Sequence, residues 1–368
     1  MPRRYARAVL FATIWTAGCA TAAGRSGPYG PAQAPARVDV ELDTGEPDAA
    51  LTIIRKHVAG DTPSPEDWQR VFRSRGYAAL KEREAFMRRS FTDSSFARFL
   101  MSDTLASRAA PLAHSLAGLK RIEVTTAAAR ALAYLPAGTP LRARLYLEIK
   151  PITNSFVFTG RDSTPAIFLY VNPAESAAQV ENVMAHELHH IGLTAACANR
   201  RSAASTLTPA QTTLLDYLSA FGEGEAMLAA AGGPEIHPHA TDPDSIRLRW
   251  DADVARASVD MQTQSTFFAA VLEGRIASSD SVRAIANTFF GVQGPWYTVG
   301  WVMAATIERE FGRGQLLAVL CDPIELMMQY NAAAHRANAR GENRPLWDAS
   351  LLARLQGLIA FASDGPLL

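Results

Sequence analysis

The sequence predicts an α+β fold that is dominated by helices and contains one small sheet. Residues 38–135 are predicted to be mainly helical, and helical spacing of apolar residues returns from residue 244 onward. The segment 142–171 differs, because it contains short apolar runs that are rich in aromatic and branched residues. Helices on both sides of a short strand-rich segment are typical of an α+β fold.

Three strands are predicted in the central segment. Residues 144–149 and 166–171 have the character of buried strands, and residues 155–158, which end before Gly160, have that of an edge strand. A sheet edge beside the next helix would let an extended peptide bind as an additional strand. The predicted helices are 49–58, 65–73, 78–87, 95–102, 174–193, 209–231, 246–273, 281–290, 297–311 and 316–320, and the alanine-rich stretch 125–133 also favours helix.

Five residues of the helix predicted at 174–193, His186-Glu187-Leu188-His189-His190, have the pattern HExxH. Positions four apart lie one turn above each other, so His186 and His190 can bind one metal ion. Glu187 is rotated by about 100° from His186 and can reach a water on the metal rather than the metal itself. The pattern predicts zinc-dependent hydrolysis in which Glu187 is the general base.

A catalytic zinc ion usually has three protein ligands, so a further ligand is expected outside the motif. The next predicted helix, 209–231, carries Glu223-Gly224-Glu225-Ala226. Glu225 is the rival of Glu223 for this role. The two carboxylates lie about 200° apart around the helix, so only one of them can face the metal.

Together these motifs resemble the gluzincins, which are zinc metallopeptidases in which a downstream helix presents Glu-Gly-x-Ala and its Glu binds the metal. The resemblance implies a zincin, thermolysin-like catalytic core with one zinc ion per chain, bound by His186, His190 and Glu223. It also implies a peptide or protein substrate. The 32 residues between His190 and Glu223 form a longer gap than in thermolysin. Gly224 would allow close approach of its helix to a neighbour.

Two further segments resemble uncharacterised bacterial peptidases of this group. Residues 295–308, which begin Pro295-Trp296-Tyr297, look like the late helix beside the active site, and residues 67–84 look like the N-terminal helical region. The likeness makes Tyr297 a candidate catalytic residue that donates a hydrogen bond to an oxyanion. Core packing is an equally good interpretation of an aromatic residue in such a cluster.

The other histidines have more ordinary interpretations. His186 and His190 can also be helix histidines without a metal, and His189 can replace one of them at a spacing of three, but Glu187 would then lose its role. The segment His237-Pro238-His239 lies in a loop rich in Gly and Pro and is predicted to be a solvated turn rather than a second metal site.

Composition excludes one class of partner. Lys plus Arg and Asp plus Glu both number 36, and no block of like charge is present, so nucleic-acid binding is not expected. With 368 residues and 48% hydrophobic content, the chain can form a full core. We expect a soluble enzyme body that reaches a membrane only through a lipid anchor.

The N-terminus has the features of an export signal. Arg3, Arg4 and Arg7 precede an apolar run at 8–15 that is too short to span a membrane as a mature helix. Residues 16–19, Thr-Ala-Gly-Cys, look like a bacterial lipobox, in which Cys19 becomes the lipidated first residue of a protein of the cell envelope. Residues 20–22, Ala-Thr-Ala, offer a competing cleavage site for periplasmic or secreted release.

The predicted organisation is an export signal at 1–19, a flexible Gly- and Pro-containing tether at 20–37, an N-terminal helical region at 38–135, a zincin core at 136–235 and a C-terminal helical subdomain at 236–368. Cys197 and Cys321 then remain in an oxidising compartment, where they can pair or stay free. The sequence predicts a zinc metallopeptidase of the cell envelope. The alternative is a non-catalytic surface lipoprotein that zinc stabilises for binding a partner, which has no need of Glu187 as a base.

Overall fold

The computed structural model describes residues 37–161, 163–198 and 207–360. The strands are β1 (Val38–Asp43), β2 (Leu141–Glu148), β3 (Phe156–Thr159) and β4 (Pro165–Tyr170). The helices are α1 (Gly45–Ala59), α2 (Pro65–Phe72), α3 (Arg75–Phe86), α4 (Asp93–Leu100), α5 (Asp103–Ala106), α6 (Ala109–Leu119), α7 (Val124–Leu132), α8 (Ala177–Ala196), α9 (Pro209–Leu218), α10 (Gly222–Ala231), α11 (Asp244–Ala255), α12 (Ala257–Leu272), α13 (Ser279–Thr288), α14 (Pro295–Phe311), α15 (Arg313–Val319), α16 (Pro323–Asn338) and α17 (Ala349–Ala360), with a 3-10 helix at Ser219–Phe221.

The helix-dominated α+β class is confirmed, and the described part of the chain forms two compact units. The first unit contains residues 37–128 and 140–191, and the second contains residues 129–139 and from 192 onward. Each unit is therefore built from separated stretches of the chain. None of the described helices combines the length and the apolar character that are needed to cross a membrane.

The sheet lies in the first unit and has the strand order β1-β2-β4-β3. β1 and β4 run parallel to β2, whereas β3 is antiparallel to β4 and lies at one edge. The three strands predicted from the sequence are confirmed within a few residues. Leu80 of α3 packs with Tyr146, Phe156 and Phe168 of the sheet, so this helix covers one face of it.

Residues 38–135 are mainly helical, as predicted, and the strand β1 is the exception that the prediction missed. Its sequence, Val-Asp-Val-Glu-Leu-Asp, alternates apolar and acidic residues, which is the period of a strand. β1 is an edge strand, and its side chains are exposed or half-buried. The alternation of apolar and acidic residues could have predicted this strand. The low apolar content of the segment made the pattern hard to recognise.

The predicted helices 209–231 and 246–273 each prove to be two helices. In the first, the 3-10 turn at 219–221 separates α9 from α10, and the Ser219 hydroxyl donates to the Asp216 carbonyl at the break. Ser and Gly are weak helix formers, and Ser219 begins this turn while Gly222 follows it. In the second, Arg256 separates α11 from α12, with φ −89° and ψ 0°.

The second unit has a core of helices around α14. Trp296 is fully buried, its indole N–H donates to the Ala286 carbonyl at 2.9 Å, and its ring lies 4.8 Å from that of Phe221. The aromatic rings of Phe268 and Trp347 stack in the same cluster. Cys197 and Cys321 form a disulfide, with Cα atoms 5.3 Å apart, which decides between the pairing and the free thiols that the sequence left open.

A group of buried charged residues lies under the sheet of the first unit. Glu46 and Glu148 are fully buried, and Lys150 is 2% exposed. The Ile149 N–H donates to Glu46 Oε2 at 2.9 Å, whereas neither carboxylate oxygen of Glu148 has a hydrogen-bond partner among the described residues. A Cβ on Gly76 would lie 2.6 Å from Glu148 Oε1, so a glycine at this position provides room for the carboxyl group.

Burial governs the protonation of this group. It raises the pKa of Glu46 from 4.5 to about 8, although the hydrogen bond from Ile149 and the charge of Lys150 oppose the shift. Burial and the charge of Glu46 hold the pKa of Glu148 well above its usual range. Burial lowers the pKa of Lys150 from 10.5 to about 7. The carboxyls therefore stabilise the fold in acid, and the lysine stabilises it in alkali.

We predict that Glu46→Gln changes how stability depends on pH. The contribution of Glu46 is fully present below its unfolded-state pKa, near 4.5, and is lost as pH rises through its folded-state pKa, about 8. The amide does not ionise, so the variant should match the wild type at pH 5 and melt on the order of 5 °C higher at pH 9. Thermal unfolding of the variant and the wild type at pH 5, 7 and 9 measures the difference.

The matched control is Glu123→Gln, at an exposed position of the same unit. Its melting temperature should differ from that of the wild type by a constant amount at all three pH values. A constant offset for Glu46→Gln as well would show that Glu46 is ionised in the folded protein at neutral pH.

Candidate metal centre

Local hydrogen bonds fix the end of β4 and the start of α8, the helix that carries the HExxH motif. The Val171 N–H donates to the Glu148 carbonyl at 2.9 Å, which extends the alignment with β2 by one residue. The Ser176 hydroxyl accepts from the Gln179 N–H, and the Gln179 side chain accepts from the Ser176 N–H at 2.8 Å. This reciprocal capping begins α8 a few residues later than residue 174, where the helix was predicted to start.

The imidazoles of His186 and His190 converge, as their spacing predicts. Their Nε2 atoms are 3.0 Å apart, and their rings are nearly perpendicular with centroids 4.7 Å apart. Two nitrogens that bind one tetrahedral zinc ion lie roughly 3.3 Å from each other, since each Zn–N bond is about 2.0–2.1 Å. The pair is thus close to the geometry of two ligands that share a metal ion.

The two polar residues between His186 and His190 are both buried. His189 is fully buried and so belongs to the interior side of the helix, and Glu187, which follows His186, is 8% exposed. The alternative in which His189 replaces one histidine is not favoured, because the group of ligand atoms that converge contains His186 and His190.

In the second unit, a close backbone contact between two helices fixes the position of Glu223. Glu223 lies in the first turn of α10 and is 5% exposed. A Cβ on Gly224 would lie 1.9 Å from the Trp301 nitrogen, and a Cβ on Gly300 would lie 2.4 Å from the Phe221 carbonyl oxygen. The close approach expected of Gly224 is confirmed, and the neighbour is α14.

One ligand atom from each of His186, His190 and Glu223 lies within 4.8 Å of the others. Within the described ranges, no second group of three or more His, Cys, Asp or Glu side chains has this geometry. Two imidazoles and one carboxylate are a donor set that zinc commonly takes in catalytic sites. The rival Glu225 is also buried, at 3% exposure, but it is not in this group.

Tyr297 lies in the first turn of α14 and is 5% exposed. Residues three and four positions apart share one side of a helix, so Tyr297 lies one turn before Gly300 and Trp301, which contact α10 at Gly224. Its neighbour Trp296 faces the aromatic core. Trp296 thus belongs to the hydrophobic core of the second unit, whereas Tyr297 is buried without being part of that core cluster.

The segment 237–239 proves to be an ordered turn. His239 is 4% exposed, its Nδ1 lies 2.6 Å from Asp242 Oδ2, and its ring packs edge-on against Trp250 at 5.1 Å. His237 Nε2 lies 3.1 Å from Asp251 Oδ1. The prediction of a turn is confirmed, whereas solvation is wrong for His239. Asp242 and Trp250 lie three and eleven residues farther along the chain, and only the tertiary structure brings this ring against Trp250.

Residues 66–339 match the protein family described as "Putative zinc dependent peptidase (DUF5700)". Because the match covers most of the 368 residues, the chain belongs to this family. The matched range contains the HExxH motif, Glu223 and Tyr297. The comparison found no match among curated proteins or solved structures.

We predict that Glu223→Ala weakens zinc binding much more than Glu225→Ala. Loss of one of three ligands opens the site, and a typical loss is on the order of 10²-fold or more in affinity, whereas Glu225 is outside the converging group. Competition against a chromogenic chelator compares the two variants with the wild type. Equal affinities, or the reverse order, would move the third ligand to another residue.

Proposed function

We propose that the protein is a zinc-dependent metallopeptidase with a zincin, thermolysin-like catalytic core. The observation that carries the proposal is the convergence of His186, His190 and Glu223, with the acid Glu187 next to the first ligand on the same helix. Membership of a family described as zinc-dependent peptidases supports the reaction class. The four-stranded sheet with an antiparallel edge strand, followed directly by the HExxH helix, supports the core type.

Each residue of the site has one role in the proposed reaction. His186, His190 and Glu223 hold one zinc ion. Bound zinc lowers the pKa of a water toward neutrality and polarises the carbonyl of the scissile bond. Glu187 accepts a proton from the attacking water and returns it to the leaving amine. The near-complete burial of Glu187 strengthens its interactions with charge that develops nearby.

Tyr297 is proposed to stabilise the negative charge that forms on the carbonyl oxygen. A phenol can donate one hydrogen bond, and in a site that excludes water one such donor typically changes the rate by roughly 10²–10³-fold. The position of Tyr297 one turn from the contact with α10 supports this role, since Glu223 precedes the contact residue Gly224.

The edge strand β3 is proposed to bind the peptide substrate. Among the described strands β3 pairs with β4 alone, so its other edge can accept an extended chain. β4 leads directly into α8, which bears the catalytic motif. Backbone hydrogen bonds do not depend on the substrate's side chains, so this mode predicts broad sequence tolerance.

The protein is proposed to act at the cell envelope, with a lipid on Cys19. This residue and the export signal lie outside the described residues. The disulfide between Cys197 and Cys321 supports the proposal, because disulfides persist in exported proteins and are rare in the cytosol. Mass spectrometry of the mature N-terminal peptide distinguishes a lipidated Cys19 from a chain that begins at Ala23.

We predict that Glu187→Gln retains one zinc ion per chain and loses hydrolysis. The amide cannot accept the proton of the attacking water, and general-base catalysis typically contributes roughly 10²–10⁴-fold to the rate. Zinc content and digestion of a peptide library are measured on one preparation. Glu181→Gln, on the same helix, is the control and should cleave like the wild type. Undiminished cleavage by Glu187→Gln, or loss of its zinc, would falsify the assignment.

We predict that Tyr297→Phe lowers kcat by roughly 10²-fold and leaves zinc affinity and thermal stability nearly unchanged. The substitution keeps the ring and removes only the hydroxyl donor. Tyr217→Phe is the control, because it removes a hydroxyl that donates to Asn287 at 3.0 Å on the surface. A Tyr297→Phe enzyme with wild-type turnover would assign Tyr297 to packing alone.

A further inference from the structure

Lys150 is buried, and it binds the connection between two strands of the sheet. The side chain follows the end of β2 and is 2% exposed. Its Nζ donates to the carbonyl oxygens of Ile152 and Asn154 and to Asn154 Oδ1, the last at 2.7 Å. All three acceptors belong to the connection 151–155, which leads into β3. The Lys150 ammonium group thus holds Ile152 and Asn154 of this connection close to each other.

The remaining surroundings of Lys150 tie the connection to the edge strand. Its Nζ lies 5.1 Å from the ring centre of Phe156, the first residue of β3, and 5.9 Å from that of Tyr170, the last residue of β4. The Arg83 guanidinium lies 4.0 Å from the centre of the Phe156 ring. Aromatic rings attract cations through their faces. The two cations therefore hold the start of β3.

Among the described residues, few other contacts hold this connection. Its residues 151–153 are exposed, and Ser155 accepts one hydrogen bond from the Tyr170 N–H at 3.3 Å. The Asn154 N–H donates to the Ile152 carbonyl, which is a local turn. Burial of an ammonium group is unfavourable unless its hydrogens are all bonded, and here three acceptors satisfy all three. This burial also explains the lowered pKa of Lys150.

We infer that Lys150 is a positioning residue for substrate binding, which fixes the connection 151–155 and so holds β3 as the edge that receives an extended peptide. The inference rests on the proposed function, and it adds a residue that lies outside the metal centre. A looser edge weakens binding of the substrate and of the transition state equally. Such a change raises KM and leaves kcat nearly constant.

The test uses the full chain loaded with zinc and compares Lys150→Met with the wild type. The Met side chain keeps the apolar stem and removes the three donors. Hydrogen–deuterium exchange at residues 151–159 should become roughly tenfold faster, since exchange reports local opening. KM for an extended peptide should rise roughly tenfold while kcat stays within about twofold.

Two further variants separate the anchoring role from general destabilisation. Asn154→Ala removes one of the three acceptors and should shift exchange and KM in the same direction by a smaller factor. Lys120→Met removes an exposed lysine that pairs with Asp48 and should change neither. If exchange in Lys150→Met is faster throughout β2 and β4, the variant is generally destabilised. The exchange rate of Asn154→Ala at residues 151–159 then tests the anchoring role.

The outcomes distinguish this inference from the proposed function. Unchanged exchange at 151–159 would overturn the anchoring role whether or not the protein cleaves peptides. Faster exchange with an unchanged KM would show that β3 does not bind the substrate, and would leave the metal centre intact. A wild-type protein that binds zinc and cleaves no peptide would overturn the proposed function and with it the substrate role of β3, while the exchange measurement would still decide what Lys150 anchors.

Discussion

The backbones of α10 and α14 meet at Gly224 and Gly300, with no room for a side chain on either residue. This contact constrains the second unit more than any single side chain, because helix axes can come this close only where small residues face each other. It determines the position of Glu223, which precedes Gly224, and sets Tyr297 one turn along α14. The proposed third ligand and the proposed oxyanion donor thus depend on the absence of two Cβ atoms.

The first unit differs, since it buries ionisable side chains at the end of β2. Glu46, Glu148 and Lys150 are all nearly inaccessible to solvent, and burial shifts each pKa toward the neutral form. Apolar residues of similar size would avoid these desolvation costs. The hydrogen bonds of Lys150 all lead to the connection before the edge strand β3, which is where we infer its role.

The proposed reaction requires a rigid metal centre and a rigid sheet edge. A general base and metal ligands must be held to within a fraction of an ångström, which the middle of a capped helix such as α8 and the close-packed α10 can provide. A peptide substrate needs an edge whose backbone groups remain in register, which Lys150 and the cation-bearing surroundings of Phe156 provide in the first unit.

The sequence by itself determined the class of the fold, the strands β2 to β4 and the pair His186 and His190, because periods of two, 3.6 and four residues are local properties. It named Glu223 only through a resemblance, since no spacing rule connects residues 190 and 223. The strand β1 was not predicted, because its low apolar content hides the alternation, and the helices α5, α6, α16 and α17 were not predicted either. The burial of Glu46, Glu148 and Lys150 was not predicted. A Glu inside the apolar run Leu-Tyr-Leu-Glu-Ile could have indicated a buried carboxyl group at Glu148. Burial, disulfide pairing and backbone contact join residues that are distant along the chain, so only the tertiary structure could decide them.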